Sequence, residues 1–109
     1  MVIDSGSQEG PSPVQMLAFS LAGCMSMDVA YILTKGRHVF RALRCELVAE
    51  RASENPHRFT SVGIQFTVEG DVADEAVRRA IQLSHDTYCS VWHSMRQDIP
   101  LATSFRVIR

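Results

Sequence analysis

The segment from Pro13 to Lys35 constrains this chain more than any other. From Val14 to Leu33 it is mostly apolar, and Leu17, Phe19, Leu21, Val29, Tyr31, Ile32 and Leu33 surround a helical axis on several sides. Ser12 suits an N-cap and Pro13 the first helical position. Lys35 suits the negative end of the helix dipole, and Gly36 a left-handed C-cap. A helix over 13–35 is on the order of 34 Å long. Apolar nearly all round, it must be buried by its own domain or by a partner. The length would also span a bilayer. However, Gln15, Ser20, Gly23, Ser26 and Asp28 interrupt the run, and a mid-span Asp alone costs about 2.5–3.5 kcal/mol on insertion. The segment therefore reads as the central helix of a soluble core, with no membrane partner.

Two runs of period two follow. Leu43, Cys45, Leu47 and Ala49 alternate with Arg44, Glu46, Val48 and Glu50. Beyond the turn residues Ser53-Glu54-Asn55-Pro56, Thr60, Val62, Ile64, Phe66 and Val68 alternate with Ser61, Gly63, Gln65 and Thr67. The pair predicts an antiparallel hairpin with one buried face. Asp71 or Asp74 is placed to cap an amphipathic helix carrying Val77, Ala80, Ile81 and Leu83. A short helix starting near Cys89 and ending before Pro100, then a strand over Thr103–Ile108, complete the order. No repeat or linker divides the chain, so residues 1–109 form a single domain.

The 109 residues are 46% hydrophobic and 21% charged, with a net charge of −1. A globular domain of that size buries about two-thirds of its unfolded surface. Interspersed charges exclude a nucleic-acid surface and a polybasic membrane anchor. The three cysteines form no C-x-x-C pair and no closely spaced even set, which favours a reducing, cytoplasmic setting. Met1-Val-Ile-Asp-Ser-Gly6 has no basic flank before an apolar core and is not a signal peptide.

Cys24 sits within the long helix and Cys89 follows a helical run, in Leu83-Ser-His-Asp-Thr-Tyr-Cys-Ser-Val91. A thiol in a helical wall, with a second thiol able to reach it, is what a dithiol peroxide-reducing site needs. The plainer reading of each is a small buried hydrophobe, and that is the reading for Cys45 on its strand. Asp28, four residues beyond Cys24, puts a carboxylate on the same helix face; unpaired, it disfavours a neighbouring thiolate. Cys89, if it opens a helix with His85 and His93 one turn either side, is the more acidic thiol. Cys89, His85 and His93 are spaced to ligate zinc from one helix face, but no fourth ligand is evident, and neither metal nor cofactor is expected. Met16, Met25, Met27 and Met95 read as core filler, or as the soft lining of an apolar pocket.

Ser12-Pro13 opens the central helix, and Cys24 lies eleven residues past that proline. The pattern continues as Cys24-x-x-x-Asp28-Val29-x-x-Ile32-Leu33-x-Lys35-Gly36-Arg37, then Glu50-Arg51, Asn55-Pro56-x-x-Phe59-Thr60 and Tyr88-Cys89-Ser90-Val91. Together these motifs resemble the OsmC/Ohr superfamily, the osmotically inducible protein C and organic hydroperoxide resistance proteins, from about Asp4 to Ile108. The likeness is greater to an OsmC-like branch than to the dedicated hydroperoxide reductases. The resemblance implies an α+β fold in which a long buried central helix packs on an antiparallel sheet in an intertwined homodimer. It also implies a thiol-dependent peroxidase of oxidative stress defence. Cys24 would attack an organic hydroperoxide, Cys89 would resolve the sulfenic acid as a disulfide, and a dithiol reductant would reset the pair.

Two departures accompany the likeness. Val14 stands where the active enzymes carry a glutamate, which pairs with an arginine from an N-terminal strand. On the same resemblance that arginine, with most of a first β-hairpin, falls upstream of residue 1 and leaves a sheet edge to be covered. A guanidinium beside the thiolate would hold it ionised; the candidates to replace it are Arg37, Arg41 or a residue of the partner. The alternative function is a non-catalytic OsmC-like module that binds a small hydrophobic ligand at the dimer interface, with the thiols as spectators.

Overall fold

The computed structural model describes Gly6 and residues 8–109; the signal-peptide reading of Met1–Gly6 and the start of the resemblance at Asp4 therefore lie largely outside the described residues. Helix α1 spans Pro13–Lys35, strand β1 Phe40–Arg51, strand β2 Phe59–Gly70, helix α2 Asp74–Leu83 and strand β3 Leu101–Ile108. Between α2 and β3 lie a π-helical turn, Ser84–Tyr88, and a one-turn 3-10 helix, Trp92–Ser94.

The start of α1 is fixed by a reciprocal cap. Ser12 Oγ accepts from the Gln15 amide at 3.2 Å, and Gln15 Oε1 accepts from the Ser12 amide at 2.9 Å; two orphan donors are thus satisfied. Its end departs from expectation by one residue. Gly36 has φ −77°, and its amide still bonds back to the Ile32 carbonyl. The left-handed turn out of the helix falls on Arg37, at φ 65°.

One stripe of α1, made of Ala18, Leu21, Ala22, Met25, Val29 and Leu33, is buried in the chain's core. The opposite side is apolar but open, with Phe19 58%, Tyr31 65% and Met27 75% exposed. Burial all round is therefore not achieved by the described residues of one chain. By length and apolarity α1 could cross a membrane. Its apolar stripe is instead used against the sheet and α2, the arrangement of a core helix.

β1 and β2 form the antiparallel hairpin, in register Cys45 with Phe66 and Leu47 with Ile64. β3 then joins the other edge of β2 in parallel, Phe66 beside Phe105. The sheet, in order β1-β2-β3, is mixed rather than antiparallel throughout. The reason is the crossover: α2 and the turns after it return the chain to the starting end of β2, as a parallel neighbour requires. Val62, Ile64, Phe66 and Val68 of the central strand are buried.

Neither Asp71 nor Asp74 caps α2, whose N-cap is Ala73 without a side-chain bond. Both aspartates turn to the last residue instead. Arg109 Nη2 lies 3.3 Å from Asp74 Oδ1, Arg109 Nε lies 3.6 Å from Asp71 Oδ1, and Arg109 also donates to the Val72 carbonyl at 3.1 Å.

Gly70, paired with Phe40, closes the hairpin at φ +153°. A Cβ there would stand 2.7 Å from Phe40 Cα and 2.9 Å from the Val39 carbonyl oxygen, so backbone would have to move. Gly70→Ala should lower unfolding free energy by at least about 1–3 kcal/mol in urea denaturation. A loss below about 0.5 kcal/mol, the range of ordinary surface changes, would mean that the strand ends adjust freely.

Candidate functional site

α1 supplies two groups of the site from successive turns, Cys24 and Asp28, both half-buried. The rest comes from the far end of α2. There the helix widens: the Cys89 amide reaches back five residues to the Ser84 carbonyl at 2.8 Å, the bond that defines a π-turn and that recurs at functional sites. Cys89 then turns extended, φ −74° and ψ 102°.

The widened turn brings two buried side chains against α1. Ser84 is fully buried, and its hydroxyl donates to Asp28 Oδ2 at 2.8 Å. Cys89 is fully buried as well. The sulfurs of Cys24 and Cys89 and a carboxylate oxygen of Asp28 all lie within 4.8 Å of one another. All three cysteines are free thiols. Cys45 stands apart from this cluster, its sulfur 4.0 Å from the Ala22 carbonyl, where it packs β1 against α1.

The structure corrects the expected acidity of Cys89. Burial pushes its thiol up from the ordinary 9.0 to about 11, with Cys24 beside it adding to the rise, while the Trp92 and Val91 amides pull the other way. The expected helix after Cys89 is there only as a single turn. Its N-cap is Val91, and Cys89 precedes it, its sulfur accepting from the Trp92 amide at 3.4 Å and its carbonyl from the His93 amide at 3.0 Å. So short a turn carries too little dipole to offset burial.

The histidines do not face the thiol. His85 Nδ1 lies 2.8 Å from Asp86 Oδ1 and its ring packs on Trp92 at 5.7 Å, while His93 Nε2 bonds the His85 carbonyl at 3.0 Å. The conceivable His85–Cys89–His93 zinc set is therefore not assembled. The set that could hold a metal among the described residues is Cys24, Asp28 and Cys89.

A groove of about 580 Å³ adjoins the cluster and shares Asp28 with it. Tyr31, Ile32, Leu83 and Tyr88 give it apolar walls, and Lys35 and Arg79 supply two cations. The methionines do not line it: Met25 is core and Met27 is on the open side of α1. Ser84, Arg79 and Tyr88 are the site residues that sequence reasoning missed. Ser84 pairs with a residue 56 positions away, and no local pattern signals that.

Val14 lies in a different groove, of about 570 Å³, with Pro13, Phe19, Leu47, Phe59 and Arg51. Arg51 is the guanidinium that lines this groove, and its Nε donates to the His57 carbonyl at 2.8 Å. Ten residues separate Val14 from Cys24, about 15 Å of helical rise. Arg37 lies beyond the end of α1 and Arg41 is exposed on β1. No cation figures among the strongest influences on the Cys89 thiol.

Three comparisons bear on this arrangement. The family described as OsmC-like protein matches residues 6–104. Protein YhfA of Escherichia coli (strain K12) is 36% identical over 110 aligned residues, covering 99% of this chain and 82% of its own. Among solved structures, a hypothetical protein from Aquifex aeolicus VF5 superposes with a TM-score of 0.86 at 28% identity, over 92% of this chain and 76% of that one. The organic hydroperoxide resistance protein OsmC from Legionella pneumophila does so at 0.73 and 13%, over 91% and 72%. The last likeness is one of fold alone.

The raised thiol has a consequence for stability. Because the folded state holds the Cys89 proton more tightly than the unfolded chain, stability from this group is full below about pH 8. It is lost as pH rises from 9.0 toward about 11. Between about pH 8 and pH 10.5 the wild type should lose on the order of 2 kcal/mol more than Cys89→Ser in anaerobic urea denaturation. Equal losses in the two proteins would mean that burial does not raise this thiol.

Proposed function

The chain belongs to the OsmC-like protein family, and from that premise we propose that it is a thiol-dependent peroxidase acting on organic hydroperoxides. One observation carries the reading: two free thiols from elements far apart in sequence meet within 4.8 Å across the α1–α2 contact. The Legionella protein of the same fold is named for organic hydroperoxide resistance.

The proposed cycle uses this chain's groups in sequence. The Cys24 thiolate attacks the outer oxygen of the hydroperoxide; the O–O bond breaks, and the alkoxide takes a proton to leave as an alcohol. Cys24 is then a sulfenic acid. Cys89, protonated at rest because of its burial, attacks that sulfur; its proton and the sulfenic hydroxyl leave as water, and a disulfide remains. Asp28 is close to both sulfurs and can hold the Cys89 proton in passing. A disulfide needs about 2.05 Å between sulfurs, so the pair must close from its resting separation. An external dithiol then exchanges with the disulfide and restores both thiols. Three free cysteines fit a reducing cytoplasm.

The reading includes a homodimer. Leu17, Cys24 and Tyr31 recur at seven-residue spacing on α1, with Met27 between them, and all but Cys24 are exposed large apolar side chains. A second copy covering that face would bury it and bring an apolar wall to Cys24. The groove beside Asp28, with its tyrosines and aliphatic side chains, suits the organic part of a hydroperoxide. A non-catalytic module that binds a small hydrophobic molecule is the second reading. It is favoured by Val14, which lies in an apolar groove at the helix start, and by the want of a cation acting on Cys89.

One equivalent of cumene hydroperoxide added to reduced protein, followed by intact mass, separates the readings. The wild type should lose two hydrogens, with peptide mapping to a Cys24–Cys89 link. Cys89→Ser should stop at a sulfenic acid on Cys24, and Cys24→Ser should consume no peroxide through a protein disulfide. A wild type that stays reduced while free thiols in the same tube oxidise would sink the peroxidase reading.

A further inference from the structure

We propose that Cys24, Asp28 and Cys89 form a binding site for one thiophilic divalent cation, and that zinc is the ion the donor set fits. Two sulfurs and one carboxylate oxygen within 4.8 Å of one another make a three-ligand set with a fourth position open, as in zinc sites that keep a water. Donors around a tetrahedral zinc, at about 2.3 Å for sulfur and about 2.1 Å for oxygen, sit on the order of 3.6–3.8 Å apart. The cluster needs only a small contraction to reach that geometry. Two thiolates select zinc over magnesium or calcium, which prefer all-oxygen sites.

The supports are those a metal site requires. Asp28 is held by the buried Ser84 hydroxyl at 2.8 Å, an outer partner that fixes the ligating carboxylate. Cys24 and Asp28 stand on successive turns of one helix, and Cys89 is fixed by the Ser84 carbonyl and the Trp92 amide. Binding converts two thiols to thiolates and releases two protons per zinc. The three ligands then carry one negative charge in excess of the ion. Lys35 and Arg79, lining the groove that opens on Asp28, lie on the side where that excess is felt.

One consequence rests on the peroxidase reading: an ion on both sulfurs withholds them from peroxide, so metal occupancy and oxidation exclude each other. The site itself does not depend on that reading, because ion binding is measured with no peroxide present.

The test is anaerobic titration of the reduced, chelator-treated full chain with cobalt(II), followed by displacement with zinc. Expected is one equivalent per chain, a thiolate-to-cobalt charge-transfer band with tetrahedral d–d absorption, and loss of both when zinc is added. Cys24→Ser and Cys89→Ser should each abolish or halve the charge-transfer band, and Asp28→Asn should weaken binding by at least about 10–100-fold. A His85→Ala/His93→Ala double variant should titrate like the wild type. The proposal is overturned by absence of the thiolate–cobalt band in protein that is folded by circular dichroism. It is equally overturned if binding survives in both serine variants or disappears with the histidines. Metal-free wild type that oxidises normally but takes no cobalt would sink this inference alone; protein that takes cobalt but ignores peroxide would sink only the peroxidase reading.

Discussion

The buried stripe of α1 is the contact on which the rest of this structure depends. Ala18 and Ala22 are small enough for the helix backbone to approach β1, where the Cys45 sulfur stands 4.0 Å from the Ala22 carbonyl. Leu21, Met25, Val29 and Leu33 fill the remaining space against the sheet and α2. This seating fixes the rotation of the helix, and rotation decides what its flanks present. Asp28 is one residue, roughly 100°, round from Val29, and Cys24 lies one turn before Asp28. Both therefore fall at the border of the core: half-buried, facing the end of α2, and neither lost in the interior nor free in water. A helix seated on another stripe would carry the same residues and no site.

The second determinant is the π-turn. In a regular α-helix residues five apart point roughly 140° away from each other, so Ser84 and Cys89 could not both face α1. Closing the turn with a five-residue hydrogen bond brings Cys89 round beneath Ser84. One then reaches the Asp28 carboxylate and the other the Cys24 sulfur. Cys89 leaves the helix at the same point, and its sulfur accepts from the Trp92 amide that opens the short turn after it. One local irregularity thus positions a resolving thiol and the hydroxyl that holds its neighbouring carboxylate.

What the sequence made legible follows from periodicity. The 3.6-residue pattern of α2 and the alternation of β1 and β2 survive in the structure, because each encodes burial on one face; α1, apolar nearly all round, shows its length in the sequence but not which stripe the core takes. What it hid is decided between distant segments. Asp71 and Asp74 look like caps until β3 lies beside β2 and delivers Arg109 to them. Ser84 looks like a helix-end serine until Asp28 faces it. Cys89 looks acidic because a helix start and two histidines surround it in sequence. In space the helix is one turn long, the histidines point elsewhere, and burial sets the thiol. The left-handed residue fell on Arg37 rather than Gly36 because the Gly36 amide was still bonded within the helix. A propensity for the left-handed region marks a candidate, and hydrogen bonding decides its use.

The electrostatics of the cluster bind these points into a single constraint. Two like charges no more than 4.8 Å apart repel by at least about 3.5 kcal/mol at an effective dielectric of 20, so two thiolates and a carboxylate cannot share this volume without protons or a cation among them. Cys89 is the fully buried sulfur of the two, and its burial holds the proton there. An order of events on the peroxidase reading follows from that asymmetry: attack comes from the half-buried Cys24, and the buried partner gives up its proton only when a sulfenic sulfur is there to receive its electrons. The same repulsion makes the cluster receptive to a divalent ion, which removes both thiol protons at once and neutralises most of the charge left behind. Whichever occupant prevails, it must settle three negative valences that the fold has pressed together without placing a guanidinium among them.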